Sequence, residues 1–305
     1  MKAMNTLRLG NSSLVSSRLS YGCWRIAESG GPAAVRAAYE AGYTLFDGAD
    51  IYGGGQAEVI LGETLKQTPG MREHVLITSK CGVRRPGEPN PASPQRWDFS
   101  PEYIVQSCEA SLKRLGIDTI DLYMLHRPDY LGDPHAIAGA FVQLYDAGKA
   151  RFFGVSNFRP SLVSALQAAC PLPLIVNQVE ISLMQRATLE DGTLDQCLEK
   201  GITPMAWSPL GAGLLGDGAR RLLPAQQGYQ PESVVKVLDE TAKPRSVSRT
   251  VIAYAWLLKH PSKIVPIVGS TNPDRIRDAI KATECELTRE EWYRLLLAAR
   301  GEPLP

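Results

Sequence analysis

Short apolar runs alternate with stretches of helical spacing along most of the chain. Eight runs have the length and the apolar, partly β-branched character of buried strands: residues 18–21, 43–46, 75–79, 120–125, 151–155, 174–177, 203–207 and 264–267. Between them, apolar positions recur at helical intervals. The clearest helix is predicted to begin at Ser100-Pro101-Glu102. These are a capping residue, a proline whose fixed φ suits the first turn, and an acid at the positive end of the helix dipole. Ile104, Cys108, Leu112 and Leu115 then fall on one face.

Glycine punctuates this rhythm in a constant place. Gly42, Gly116, Gly148 and Gly201 each follow a helical stretch and precede a strand, where a left-handed residue ends a helix without the steric penalty of a side chain. A joint used four times implies one repeated βα unit. Eight strands with intervening helices fit an eight-stranded closed barrel or an open doubly wound sheet, and rhythm alone does not choose. Two segments interrupt it. Residues 82–99 hold Pro86, Pro89, Pro91 and Pro94, so no regular structure is expected there. Residues 210–231 are also irregular and precede extra helical material at 232–242 and 246–260. The rhythm resumes on both sides of each, so a single domain over residues 1–305 is expected. Both follow strand ends, where α/β proteins place their ligand loops.

Charge narrows the range of partners. The chain has 33 Lys and Arg against 32 Asp and Glu, a formal charge of +1, with no basic or acidic block. Nucleic-acid and membrane-surface binding both require a concentrated positive face and are not expected. The six cysteines (Cys23, Cys81, Cys108, Cys170, Cys197 and Cys285) are scattered, with no C-x-x-C pair, and read as reduced thiols. Asn5 and Arg8 interrupt the first apolar stretch, so no secretory signal is expected. A cytoplasmic, monomeric protein is the resulting expectation.

One motif is set aside. Gly211-Ala212-Gly213-Leu214-Leu215-Gly216 matches the dinucleotide fingerprint G-x-G-x-x-G, which works only when its glycines join a strand to a helix whose N-terminus faces the pyrophosphate. Asp217-Gly218-Ala219-Arg220-Arg221 followed by Pro224 is a poor helix start. A bendable loop crossing a phosphate is the expectation.

The chemistry-bearing residues gather at strand ends. Asp47, Lys80 and His126 directly follow the apolar runs at 43–46, 75–79 and 120–125, and Tyr52 lies five residues beyond Asp47 in a Gly-rich loop. Taken singly, each has an ordinary explanation: a helix cap, a solvated lysine, a hydrogen-bonded core histidine, a packing tyrosine. In a parallel sheet, however, the C-terminal ends of the strands face one way, so the four side chains converge. A carboxylate beside Lys80 would also keep the ammonium charged in a partly dry site. The four histidines show no metal-ligand spacing.

These residues belong to blocks with a wider resemblance. Phe46-Asp47-Gly48-Ala49-Asp50-Ile51-Tyr52-Gly53 resembles the signature of the aldo-keto reductase family. The likeness extends through Ile77-Thr78-Ser79-Lys80, Leu125-His126-Arg127-Pro128, Gly154-Val155-Ser156-Asn157-Phe158, Asn177-Gln178-Val179-Glu180, Trp207-Ser208-Pro209-Leu210 and Pro266-Ile267-Val268-Gly269-Ser270. The blocks run in family order over nearly the whole chain. The resemblance implies an α/β fold of the (β/α)8 TIM-barrel type and NADPH-dependent reduction of a small-molecule carbonyl compound. Tyr52 would protonate the carbonyl oxygen. An unperturbed Tyr has a pKa of about 10, and Lys80 is expected to lower it; two units correspond to roughly 3 kcal/mol. Asp47 would hold Lys80, and His126 would orient the carbonyl.

The resemblance also implies the cofactor contacts. Ser156, Asn157 and Gln178 match positions that hold the nicotinamide amide, and Trp207 matches the aromatic that stacks on its ring. Ser208, Leu210, Gly211 and Gly213 match the loop over the pyrophosphate. Gly269, Ser270, Thr271, Arg275 and Asp278 match the adenosine end, with Arg275 placed to pair with a 2′-phosphate. Gly269 stands where some members carry a lysine. Gly22, Cys23 and Trp24 match positions along cofactor and substrate, with Asp47 at their junction, and Trp97 is expected at the substrate mouth. The alternative reading is a regulatory protein that keeps the fold and cofactor but turns over little.

Overall fold

A computed structural model describes residues 4–28, 30–218 and 224–303. Its centre is a closed barrel of eight parallel strands: β1 (Ser20–Gly22), β2 (Leu45–Asp47), β3 (Leu76–Cys81), β4 (Ile120–Leu125), β5 (Ala150–Ser156), β6 (Leu174–Glu180), β7 (Thr203–Trp207) and β8 (Val265–Val268). Each strand pairs with its sequence neighbours, and β8 pairs with β1 to close the ring. A (β/α)8 barrel therefore replaces the two architectures that strand rhythm left open. Helices Gly31–Glu40, Gln56–Gln67, Pro101–Leu115, Pro134–Asp146, Pro160–Ala169 and Thr193–Lys200 fill the connections from β1 through β7. Two helices, Glu232–Ala242 and Arg249–Leu258, precede β8, and Pro273–Ala279 and Arg289–Arg300 follow it.

All eight predicted strands form, but several run further than their apolar pattern. Asp47 is the last residue of β2, Lys80 lies inside β3 and Gln178 inside β6, where the pattern stops one or more residues earlier. The ladder is made of backbone groups and does not require apolar side chains, so polar residues extend it where the barrel interior opens into a site. Gly42, Gly116, Gly148 and Gly201 all adopt positive φ, from 63° to 92°, as the helix-to-strand joints require.

Three local expectations change. Ser100 begins its helix without capping it; its hydroxyl donates instead to Asp98 Oδ1 at 2.7 Å. The segment 82–99 is not wholly irregular, because Val83–Arg84 and Arg96–Trp97 pair as a short antiparallel ribbon and leave the prolines in its tip. A second ribbon, Thr6–Arg8 with Val15–Ser17, precedes the barrel and has no counterpart in the sequence reading. Its turn brings Leu9 and Leu14 into one buried cluster with Leu45, Leu122, Met124, Val176 and Met205 from the barrel. Of residues 210–231, those at 219–223 lie outside the described residues.

The larger core lies between strands and helices, with Phe141 and Phe153 stacked at 4.3 Å. Arg289–Arg300 starts with a reciprocal capping box between Thr288 and Glu291. It docks through Trp292 stacked on Trp256 at 5.1 Å, each indole N–H donating to the other residue's carbonyl. Among the described residues no helix is long and apolar enough to cross a membrane.

Two helical glycines should respond with opposite signs. A Cβ at Gly62 would collide with the backbone carbonyl of Leu115 on the neighbouring helix, whereas one at the exposed Gly139 would meet nothing within 4 Å. Gly62→Ala is expected to destabilise by roughly 1–3 kcal/mol and Gly139→Ala to stabilise by about 0.5–1 kcal/mol, read from urea unfolding midpoints.

Candidate active site

The C-terminal ends of β2, β3 and β6 carry Asp47, Lys80 and Gln178, and strand register aligns them. Gly22 lies opposite Asp47, Asp47 opposite Thr78, and Ser156 opposite Gln178. Lys80 is 0% exposed. Its ammonium uses its donors on Asp47 Oδ2 at 2.9 Å, the Gly48 carbonyl at 2.7 Å and the Tyr52 hydroxyl at 3.2 Å. Asp47 Oδ1 in turn accepts from Gln178 Nε2 at 2.8 Å and Thr78 Oγ1 at 3.1 Å. Burial opposes the ammonium, but Asp47 and Tyr52 outweigh it, so Lys80 lies above the ordinary lysine value and is charged at neutral pH.

Tyr52 does not follow the simple expectation of a lowered phenol. Burial pushes it above the ordinary value, the Lys80 charge pulls it down, and Asp47 pushes it up again. The phenol is thus protonated at neutral pH while accepting a hydrogen bond from an ammonium. His126 begins the loop after β4 and meets the Tyr52 ring edge-on at 5.7 Å. Burial first, then the charges of Lys80 and Arg127, hold the imidazole well below its usual value, so it is neutral. Its Nδ1 is buried without a hydrogen-bond partner among the described residues.

The Tyr52 loop is held from two sides. Arg85, in the ribbon segment after β3, donates to the Ile51 carbonyl. On the core side the Asp50 amide donates to the Lys80 carbonyl at 3.1 Å. Glu58 accepts from Ser79 at 2.5 Å and pairs with Arg114 at 2.7 Å. Burial raises the Asp50 carboxyl to about 7, Glu58 adds to the rise, and Arg114 opposes it.

These groups open onto a cavity of about 530 Å³ that runs across the barrel mouth. One end holds Trp24, Tyr52, Trp97 and His126; the other holds Ser270, Thr271 and Arg275. Between them, Trp207 is fixed by its indole N–H donating to Asn157 Oδ1 at 3.0 Å. Asn157 also donates to the His126 carbonyl at 3.2 Å and the Ser156 hydroxyl at 2.8 Å. Asn157, Ser208 and Ala212 have φ of 62°, 52° and 56°, unusual for residues with side chains and concentrated along this groove. The G-x-G-x-x-G stretch is a series of turns that lines the groove through Gly213 and Gly216, and among the described residues the next α-helix begins at Glu232. It is not a strand-to-helix phosphate loop.

Most of the residues singled out in the sequence line this cavity: Gly22, Trp24, Asp47, Tyr52, Trp97, His126, Ser156, Asn157, Gln178, Trp207, Ser208, Leu210, Gly213, Gly269, Ser270, Thr271 and Arg275. Lys80 sits beneath it. Three others do not line it. Cys23 is a buried thiol packed in the core, with its backbone amide on the Asp47 carbonyl. Gly211 is turned against Met184. The Asp278 carboxylate accepts from Ser248 at 2.6 Å and pairs with Lys281 at 2.7 Å. The sequence reading missed Arg25, Gln95, Arg127, Thr250 and Tyr254 in the lining. Arg25, next to Trp24, and Arg127, next to His126, carried a local signal.

The fit to a dinucleotide is good on structural grounds. The groove has an open Gly269 edge, where a Cβ would meet nothing within 4 Å. Amide and hydroxyl groups cluster around Trp207 at one end. At the other, the Arg275 guanidinium contacts the Asp217 carbonyl at 3.0 Å and has no carboxylate partner among the described residues.

Two buried groups should give opposite pH signatures. His126 has a folded pKa below its unfolded value. The unfolded chain therefore binds more protons between the two, and the His126 contribution is lost as pH falls below about 6.5. Asp50 has a folded pKa of about 7, above its unfolded value, so its contribution is present in acid and lost as pH rises toward 7. Relative to wild type, His126→Gln should gain stability from about pH 6.5 down to about pH 5.5, and Asp50→Asn should gain as pH rises from about 5 to 7. Each change is roughly 1 kcal/mol per pH unit. Urea unfolding at several pH values checks both.

Comparison with known proteins agrees with this geometry. The aldo/keto reductase family profile matches residues 9–296. The chain is 39% identical over 309 residues to the 6-dehydroglucose reductase of Novosphingobium aromaticivorans, covering 98% of this chain and 96% of that protein. It is 41% identical over 293 residues to the 6-dehydroglucose reductase of Agrobacterium fabrum, covering 94% and 95%. Among solved structures it resembles the glycerol dehydrogenase AKR11B4 of Gluconobacter oxydans, with a TM-score of 0.85, 25% identity and coverage of 98% and 97%. An oxidoreductase barrel matched from end to end, with its polar groups gathered at one mouth, makes this chain a member of the aldo-keto reductase family, whose enzymes use nicotinamide cofactors.

Proposed function

We propose that the protein reduces aldehyde or ketone carbonyls to alcohols with NADPH, acting as a monomeric, single-domain cytoplasmic enzyme without nucleic-acid or membrane partners. The observation that carries this reading is the Lys80 ammonium, fully buried and shared between the Asp47 carboxylate and the Tyr52 hydroxyl at the cavity floor. Bound NADPH supplies the hydride. Tyr52 supplies the proton: it is protonated at neutral pH, and the ammonium already on its oxygen stabilises the phenolate left behind. Asp47 keeps Lys80 charged and in place. The neutral His126 has one N–H to donate to the carbonyl oxygen as negative charge builds there.

The cofactor would lie along the groove. Ser156, Asn157 and Gln178 offer both donors and acceptors to the carboxamide, and Trp207 offers an aromatic face. Arg275, which has no carboxylate partner among the described residues, supports NADPH over NADH because a 2′-phosphate matches its fork. The names of the two 6-dehydroglucose reductases support a carbonyl on a hydroxylated carbon chain.

Tyr52→Phe is expected to lower aldehyde-dependent NADPH oxidation by at least 100-fold while NADPH affinity, followed by fluorescence, changes less than about threefold. Parallel loss of both would assign Tyr52 to structure. Arg275→Ala should raise the Kd for NADPH by about tenfold or more and that for NADH little. Equal weakening of the two would remove the 2′-phosphate reading.

A further inference from the structure

The substrate end of the cavity contains a cation that the reaction chemistry does not use. Arg127 lines the cavity beside His126 and is half-buried. Among the described residues its guanidinium makes no hydrogen bond or ion pair, and its recorded contact is with the Trp207 indole, 5.3 Å from the ring centroid. Burial lowers its pKa, with Tyr52 and Glu180 the charges that draw on it. Glu180 is already engaged by the Gln226 amide and, at 3.3 Å, the Tyr229 hydroxyl. A partly dehydrated guanidinium with its donors unspent is costly unless something takes them.

The surroundings indicate what that is. Gln95 lines the same space and adds an amide. Trp24 and Trp97, each 39% exposed, offer apolar ring faces at the entrance. A planar fork of parallel N–H donors holds two neighbouring oxygens at once, and indole faces suit the C–H side of the same chain.

We infer that Arg127 is a specificity-determining residue: its fork holds adjacent hydroxyl oxygens of the carbonyl substrate and selects polyhydroxylated aldehydes over unsubstituted ones. Gln95, Trp24 and Trp97, which share this end, are neutral and suit hydroxyl and C–H groups. The inference rests on the carbonyl-reductase reading and identifies its substrate class.

The test compares kcat/KM for 6-dehydroglucose against hexanal, and for glyceraldehyde against propanal, in wild type, Arg127→Gln and Arg127→Lys. Each ratio is internal to one enzyme, so partial loss of folded protein cancels. The hydroxylated-to-unsubstituted ratio should fall about tenfold or more in Arg127→Gln, mainly through KM. It should also fall in Arg127→Lys, which keeps the charge but loses the fork. An unchanged ratio would overturn the inference. So would weakened NADPH binding with equal loss on every aldehyde, which would make Arg127 a support for Trp207. Succinic semialdehyde is the anionic control, and a loss confined to it would replace the diol reading with a carboxylate one. If wild type oxidises NADPH with none of these aldehydes, the proposed function itself fails, separately from the role of Arg127.

Discussion

A lysine with no exposure to water is tolerable only if its charge is met from several directions, and this constraint organises the barrel mouth. Lys80 meets it with a carboxylate, a backbone carbonyl and a phenol, at 2.9, 2.7 and 3.2 Å. Removing such a charge from water costs several kcal/mol, and the return depends on geometry fixed before any ligand arrives. The geometry is set by strand register. Asp47 sits level with Thr78, two residues along β3 from Lys80, and Gln178 reaches the same carboxylate from β6 in the barrel wall. All three Lys80 partners come from β2 and the loop that follows it, so the pair forms where β2 and β3 align, and Gln178 joins it from β6 once the barrel is closed.

The same requirement explains the protonation pattern around it. One buried ammonium stabilises the phenolate form of Tyr52, disfavours a second cation at His126, and leaves a neutral imidazole beside a protonated phenol. Burial raises Tyr52 and Lys80 opposes that rise. The group that remains protonated at neutral pH is therefore also the one whose deprotonated form has a partner waiting. A proton donor needs both properties, and neither follows from the phenol alone.

Around this fixed centre the loops divide the work. The Pro-rich ribbon segment after β3 reaches over to the Tyr52 loop through Arg85 and presents Trp97 and Gln95 at the entrance. The turns after β7 and the start of Pro273–Ala279 form the far end of the groove, where Arg275 lies. The entrance thus draws on the segment after β3, and the far end on the turns after β7 and the start of Pro273–Ala279, so one loop can vary without the other.

The sequence by itself determined the strand–helix repeat, the glycine joints and the order of the polar residues at strand ends, because these depend on side-chain period and local backbone preference. It did not determine where β2, β3 and β6 stop, since a strand's ladder continues through polar residues when its neighbours offer backbone partners. Nor did it determine that Cys23, Gly211 and Asp278 are not among the residues lining the groove. Each is claimed by a nearby partner (the core, Met184, Ser248 with Lys281) that only packing brings within reach. The sign of the Tyr52 shift and the lack of an Arg127 hydrogen bond or ion pair among the described residues belong to the tertiary structure as well. Both are set by how much water is excluded and which charges remain close once the barrel has formed, and neither quantity is written in the spacing of residues along the chain.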